Sequence, residues 1–359
     1  MSALRRLALL SLACFILIPL PAAAWDRGPV QLFATLPDGV RFPEGITANP
    51  ANGDLFVGTF EGGANNKVLR FDRQGRLEAS RAFGPTPLLG LAFHGNRHDS
   101  KLYIAAVGAF IGGTSKIQRI AANFNAGTPI EDVAVIPTIG APEPRVVSNP
   151  DGSEDIITFG NNVPAPNALT FDGAGNLYVS DSFQGAIFRI DNPASCVPTC
   201  VATVVVHDPL LATAGFPPFG ANGIAFNENE SALFIANTGD DRILRLDMGS
   251  KDVTVFAESI NGADGVAFDT QGRLWVAANQ ADELVALNAQ GRVVAKRGDF
   301  EGIGRDGSPK GLLFPASVVI VGDEIFVTNL ALPLTATTGD EAEEQVSRYT
   351  ISRIRIPGR

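Results

Sequence analysis

The chain has 359 residues, is 45% apolar and carries a formal charge of −10, so it is long enough to bury a sizeable core behind an acidic surface. That surface disfavours nucleic acid and anionic membranes as partners. Histidines are confined to His94, His98 and His207, which removes most histidine-based chemistry.

The first 24 residues read as a secretory signal peptide. Arg5 and Arg6 precede the apolar run Leu7–Ile18, and Ala22-Ala23-Ala24 offers a small-residue cleavage site. The run is short for a membrane span and ends in Pro19-Leu20-Pro21. Ser11 stands where a lipoprotein signal wants an aliphatic residue before Cys14. Cleavage would remove Arg5 and Arg6 and take the charge from −10 to −12. The expectation is a secreted or periplasmic protein, monomeric, with residues 25–359 forming one domain and no lasting hold on a membrane. Its two remaining cysteines, Cys196 and Cys200, predict a local disulfide.

One phrase recurs through the rest of the chain. It reads PEGITA at Pro43–Ala48, PNALTF at Pro166–Phe171, ANGIAF at Ala221–Phe226 and ADGVAF at Ala263–Phe268. Weaker copies are LLGLAF at Leu88–Phe93 and PASVVI at Pro315–Ile320. Most copies lead through an Asn/Asp/Gly turn into a second apolar stretch, such as Leu55–Gly58, Leu177–Ser180, Leu233–Ala236 and Leu274–Ala277. Third stretches follow at Lys67–Phe71, Ile117–Ile120, Ala186–Ile190, Arg242–Leu246, Glu283–Leu287 and Tyr349–Ile356. More polar fourth stretches follow at Leu77–Phe83, Val133–Ile136, Val201–Val206, Val253–Ala257 and Val293–Arg297. Four strands per unit at this spacing predict an all-β, six-bladed β-propeller. The sixth unit lacks an outer strand, and Val30–Leu36 is placed to supply it and close the ring. Residues 139–162, rich in Pro, Asn and Gly, read as a long loop. A second loop after Asn329 carries the acidic run Asp340–Glu344, which reads as a solvated face.

The second residue of each phrase carries the functional signal. These residues are Glu44, Leu89, Asn167, Asn222, Asp264 and Ala316. Inner strands of a propeller run alike around one channel, so equivalent positions meet at its mouth. Glu44, Asn167, Asn222 and Asp264 would there offer two carboxylates and two amide oxygens. Such hard donors suit Ca²⁺, with Mg²⁺ or Mn²⁺ also compatible. Taken singly, Asn or Asp before Gly is an ordinary turn former; Glu44 is not. A weaker second ring, Asp181, Asn237, Asn279 and Asn329, follows the second strands and either faces the site or bonds blade to blade. Phe60, Phe110, Phe183 and Phe216 lie in loops on the same side, walling a pocket or packing the loops.

The succession Pro-Glu-Gly, Asn, Asn-Gly, Asp-Gly resembles the gluconolactonase and regucalcin (senescence marker protein) family over about Pro43 to Phe326. Diisopropyl-fluorophosphatase and paraoxonase-like calcium propellers are similar. The resemblance implies a channel metal, usually calcium, and hydrolysis of lactones or phosphoesters. It makes Glu44, Asn222 and Asp264 metal ligands, and Asn167 a ligand to metal or substrate. Asp264 would then be the general base or nucleophile. Where such lactonases carry Arg-x-Asn-Asp-Gly, this chain has Ala165-Pro166-Asn167-Ala168, with no arginine to hold a sugar acid. Paraoxonase-like members use a histidine near the metal, whereas His94, His98 and His207 read as surface residues. The competing reading is a non-catalytic propeller, like those of NHL or YVTN repeats, that presents a binding surface. A strictosidine-synthase-like propeller has no residue here that names its substrate.

Overall fold

The structure is a computed structural model that describes residues 25–63, 65–96, 99–160, 162–335 and 338–356. The expected signal peptide and His98 lie outside these. Six four-stranded antiparallel sheets form the six blades. Blades I to V each run outward in chain order, from inner strands Pro43–Ala48, Leu88–Gly95, Pro166–Phe171, Ala221–Phe226 and Ala263–Phe268. Blade VI has inner strand Pro315–Val321, then Glu324–Asn329 and Thr350–Arg355. Its outer strand is Val30–Thr35, from the other end of the chain, with Val30 opposite Ile354 and Thr35 opposite Thr350. Each inner strand packs against its two neighbours, so the ring is closed. No helix among the described residues is long and apolar enough to cross a membrane.

The second strands explain their unbroken apolar runs. Side chains alternate between the two faces of a strand, and here both faces are covered by a neighbouring blade. Leu55 and Val57 pack toward blade VI with Phe326 and Ile351. Phe56, between them, packs toward blade II with Leu91 and Leu102. All three are at most 1% exposed, so neither face has room for a polar residue.

Every inner strand has an irregularity at the same place. Pro43 pairs with Thr59 and Ile46 with Val57, which leaves Glu44-Gly45 opposite Gly58 alone. The same one-residue bulge recurs at Leu89-Gly90, Asn167-Ala168, Asn222-Gly223, Asp264-Gly265 and Ala316-Ser317. A bulge re-aims the side chain it carries, and here that is the second residue of each phrase.

Glycine follows in four blades because the next blade is in contact. A Cβ on Gly45 would lie 2.1 Å from the Leu89 carbonyl oxygen, and one on Gly223 would lie 2.3 Å from that of Asp264. The two exceptions, Ala168 and Ser317, come with hydroxyls across the bulge. Ser180 Oγ accepts from Ala168 N at 2.9 Å and donates to the Asn222 carbonyl at 2.6 Å. Thr328 Oγ1 accepts from Ser317 N at 3.0 Å and donates to the Glu44 carbonyl at 2.6 Å, latching blade VI to blade I.

One expectation needs correction. Residues 139–162 are not simply a loop, since Arg145–Ser148 and Glu154–Ile157 form an antiparallel ribbon. The turn residues Asn149 to Gly152 between its arms masked the apolar alternation of Val146 and Ile156. A second ribbon, Phe300–Ile303 with Pro309–Gly311, has no counterpart in the sequence reading. In the acidic loop, Glu341 and Glu344 bond the loop's own backbone around the short turn Ala342–Gln345. Cys196 and Cys200 are joined, with Cα atoms 5.1 Å apart.

Candidate functional site

Glu44, Asn167, Asn222 and Asp264 line one pocket at the mouth of the channel, and Leu89 joins them there. All four are between 2% and 5% exposed. Four bulges, on strands up to 220 residues apart, therefore bring the donors to one place.

The two amides are held in a defined sense. Asn167 Nδ2 donates to Ser182 Oγ at 3.0 Å, and that hydroxyl donates its proton to the Ala221 carbonyl at 2.7 Å. Asn222 Nδ2 donates to Thr238 Oγ1 at 2.9 Å, which donates to the Ala263 carbonyl at 2.7 Å. A hydroxyl has one proton to give. With it spent on the next blade, each hydroxyl can only accept from its asparagine. One N–H of each amide is thereby given to the wall, and its oxygen is left as the free acceptor.

The carboxylates are less satisfied. Asn279 Nδ2 donates to Asp264 Oδ2 at 3.0 Å, while Asp264 Oδ1 and Glu44 Oε2 are buried with no hydrogen-bond partner. Burial raises the Asp264 carboxyl to about 7, against the opposing pull of the Asn279 and Asn222 side chains. Burial also pushes Glu44 well above its ordinary value, and the nearby charge of Asp264 adds to this. Two buried carboxylates side by side without a cation are costly when ionised. Two acceptor-only amide oxygens and two orphaned carboxylate oxygens form the donor set a hard divalent cation takes. The residues present therefore fit such an ion.

The second ring divides. Asn279 lines the pocket, but Asp181, Asn237 and Asn329 do not. Asp181 accepts from the backbone of Ala165 and Gln184. Asn237 donates to the carbonyls of Leu210 and Ala212, and Asn329 bonds Leu313, Thr350 and Ser352. The reason is register. Asp181, Asn237 and Asn329 pair with the first residue of their inner strands, but in blade V that partner is Ala278. Asn279 stands one residue later, level with Ser182 and Thr238, and period-two alternation turns it to the opposite side. Ser182 and Thr238, which orient the amides, escaped the sequence reading. Their signal was that shared position, one past the end of the second strand.

The remaining wall is apolar. Phe60, Pro217, Phe219, Phe314, Leu330, Leu332 and Leu334 complete it. Phe60, Phe110, Phe183 and Phe219 form a connected cluster, with ring centroids 5.3 to 6.4 Å apart along the contacts Phe60–Phe110, Phe110–Phe183 and Phe110–Phe219. Phe216 stands apart from it and is 61% exposed. His94 stacks on Phe171 with centroids 4.1 Å apart, and neither His94 nor His207 lines the pocket.

A closed six-bladed propeller with an acidic, oxygen-only cluster at the channel mouth defines the class. Residues 217–297, spanning blades IV and V with Asn222 and Asp264, match the SMP-30/gluconolactonase/LRE-like region family. The likeness to the gluconolactonase and regucalcin family thus holds on those blades. No curated protein matches the chain. Among solved structures, a luciferin-regenerating enzyme superposes with TM-score 0.61 at 14% identity, covering 92% of this chain and 96% of that one. Regucalcin from Agrobacterium tumefaciens gives 0.58 at 16% identity, covering 91% and 96%. A gluconolactonase from Xanthomonas campestris gives 0.54 at 15% identity, covering 94% and 98%. At these identities the superpositions speak for the fold.

Proposed function

We propose that this protein is an exported, divalent-cation-dependent hydrolase of lactones or related esters, with calcium the preferred ion and Mg²⁺ or Mn²⁺ as substitutes. The observation that carries the reading is the pair of buried, unpartnered oxygens, Glu44 Oε2 and Asp264 Oδ1, in a pocket with two amides turned oxygen-inward. The family match on blades IV and V supports it. The Cys196–Cys200 disulfide agrees with export to an oxidising compartment.

Glu44, Asn167, Asn222 and Asp264 would hold the ion. When bound, it supplies Lewis-acid polarisation of an ester carbonyl and stabilises the charge that develops on its oxygen. The chain's own residues then have distinct parts. Asn279 holds Asp264 Oδ2 and so leaves Oδ1 toward the pocket. As general base, Asp264 takes a proton from water as the water oxygen bonds to the carbonyl carbon. The proton passes to the departing oxygen as the acyl C–O bond breaks, giving a hydroxy acid from a lactone. As nucleophile, Asp264 would instead bond the carbonyl carbon itself and be released by water. The aromatic cluster around Phe60 and Phe219 limits water at the pocket mouth. Hydroxyl-held Asn167 and Asn222 need no rearrangement to accept positive charge.

The deciding experiment is metal analysis of the purified chain, followed by a lactone and aryl-ester panel with calcium and with excess chelator. Calcium-dependent turnover that Asp264→Asn and Glu44→Gln abolish, with folding intact, is expected. Full activity in chelator or in either variant would sink the reading. A large fall in melting temperature on chelation with no turnover would make the ion structural and leave a binding module.

A further inference from the structure

We infer that the site takes a neutral substrate with an apolar chain, and that the chain lies on the Leu330–Leu334 segment of blade VI. The inference rests on the hydrolase reading for the position of the reacting carbonyl. It deepens that reading by naming the substrate class.

Charge makes the first half of the case. The pocket lining contains Glu44 and Asp264 but no Lys, Arg or His. With the proposed cation taken up by the reacting carbonyl, a further anionic group on the substrate, such as a carboxylate or phosphate, would find no cationic side chain to receive it. Desolvating an unpaired charge is costly. The lining also has few free donors for the oxygens of a polyol, since Thr238 gives its proton to the Ala263 carbonyl and Asn279 Nδ2 is engaged with Asp264.

Placement makes the second half. Polar lining is concentrated on blades IV and V, where Thr238 and Asn279 stand beside Asp264. Blade VI lies between the blades of Asp264 and Glu44 and has Ala316 where its neighbours have carboxylates. Above that blank, Leu330, Leu332 and Leu334 recur every second residue and all reach the pocket. Leu330 is 4% exposed and packs with Phe314 and Ala316, whereas Leu332 and Leu334 are only partly buried.

The test is a γ-lactone series with alkyl tails of increasing length, set against glucono-δ-lactone, on the calcium-loaded protein. A methylene buried on leucine improves kcat/KM by about threefold to fourfold, until the pocket is filled. Leu332→Ser with Leu334→Ser should flatten this dependence, bringing the long-tailed lactones toward the turnover of γ-butyrolactone, while the melting temperature holds. Calorimetric binding of N-octylacetamide against gluconate gives a readout independent of turnover. If no lactone is hydrolysed yet N-octylacetamide binds at least tenfold tighter than gluconate, the hydrolase reading falls and the pocket assignment stands. If glucono-δ-lactone is the better substrate, or the series is flat in both turnover and binding, the assignment is overturned.

Discussion

Replacing Asp264 with asparagine should stabilise the protein in chelator, and calcium should take back most of that advantage. The unfolded carboxyl titrates near 3.8 and the folded one at about 7. A folded pKa above the unfolded one means the stabilising share belongs to the protonated form. That share is complete below about pH 4 and is lost as pH rises through about 7. At 1.36 kcal/mol per unit, holding this carboxylate ionised at pH 8 costs roughly 4 kcal/mol. Asp264→Asn removes that cost, lightens the charge acting on Glu44 and retains a carbonyl to accept from Asn279. In a chain of this length, each kcal/mol moves the melting temperature by at most about 2 °C. The variant should therefore melt roughly 5–8 °C higher than the parent at pH 8 in chelator, and within a degree or two of it at pH 4. Saturating calcium should close most of the gap, since an ion at 100 times its Kd adds about 2.7 kcal/mol to the parent and little to the variant. Melting curves at pH 4, 6 and 8, with chelator and with calcium, measure all of this. A variant that is less stable in chelator at every pH would refute the claim that the two carboxylates repel in a dry site. Equal calcium stabilisation of both proteins would refute the claim that Asp264 binds the ion.

Three further outcomes are expected from the same geometry. Ser182→Ala should leave the Asn167 amide without its anchor and weaken calcium binding roughly tenfold, a magnitude usual for groups that orient metal ligands; calorimetric titration reads this, and Asn167→Ala should then add little. Gly223→Ala would set a Cβ 2.3 Å from the Asp264 carbonyl oxygen, so a loss of a few kcal/mol in urea melts is expected, with a smaller loss for Ala168→Gly. Gly262→Ala, at φ 65° with a Cβ placed 1.9 Å from Asn279 Oδ1, should displace Asn279 and lower kcat more than it raises KM, while Gly272→Ala, also at positive φ but with open space around it, should affect stability alone.

The blade count and the convergence of Glu44, Asn167, Asn222 and Asp264 were legible because a ring converts a repeated phrase into a repeated position. The phrase is short, yet its second residue always falls on the bulge, and only there does it vary between donors and blanks. Legibility failed where position depended on a single residue of register. Asn279 groups in the sequence with Asp181, Asn237 and Asn329, but its strand ends at Ala278, so it lines the pocket while they bond the surrounding backbone and strands. The ribbons at Arg145–Ile157 and Phe300–Gly311 are too short for their alternation to stand out between turn residues. The leucines of the pocket wall come from a connection without secondary structure, where an alternation of only three residues does not stand out.

Blade VI is assembled from both ends of the chain, with Gln31 paired to Arg353 across 322 residues. It also stands between Asp264 on blade V and Glu44 on blade I, and Thr328 fastens it to the Glu44 carbonyl. The two negatively charged donors are thus held across the seam where the molecule is sewn shut. Glu44 and Asp264 stand on blades I and V, and blade VI between them completes the ring. On the proposed calcium reading, ion binding would be a chemical reporter of closure. Such long-range pairing is slow to form, so an ion that bridges the seam also slows its reopening, and its removal exposes the molecule first at the place where it was last completed.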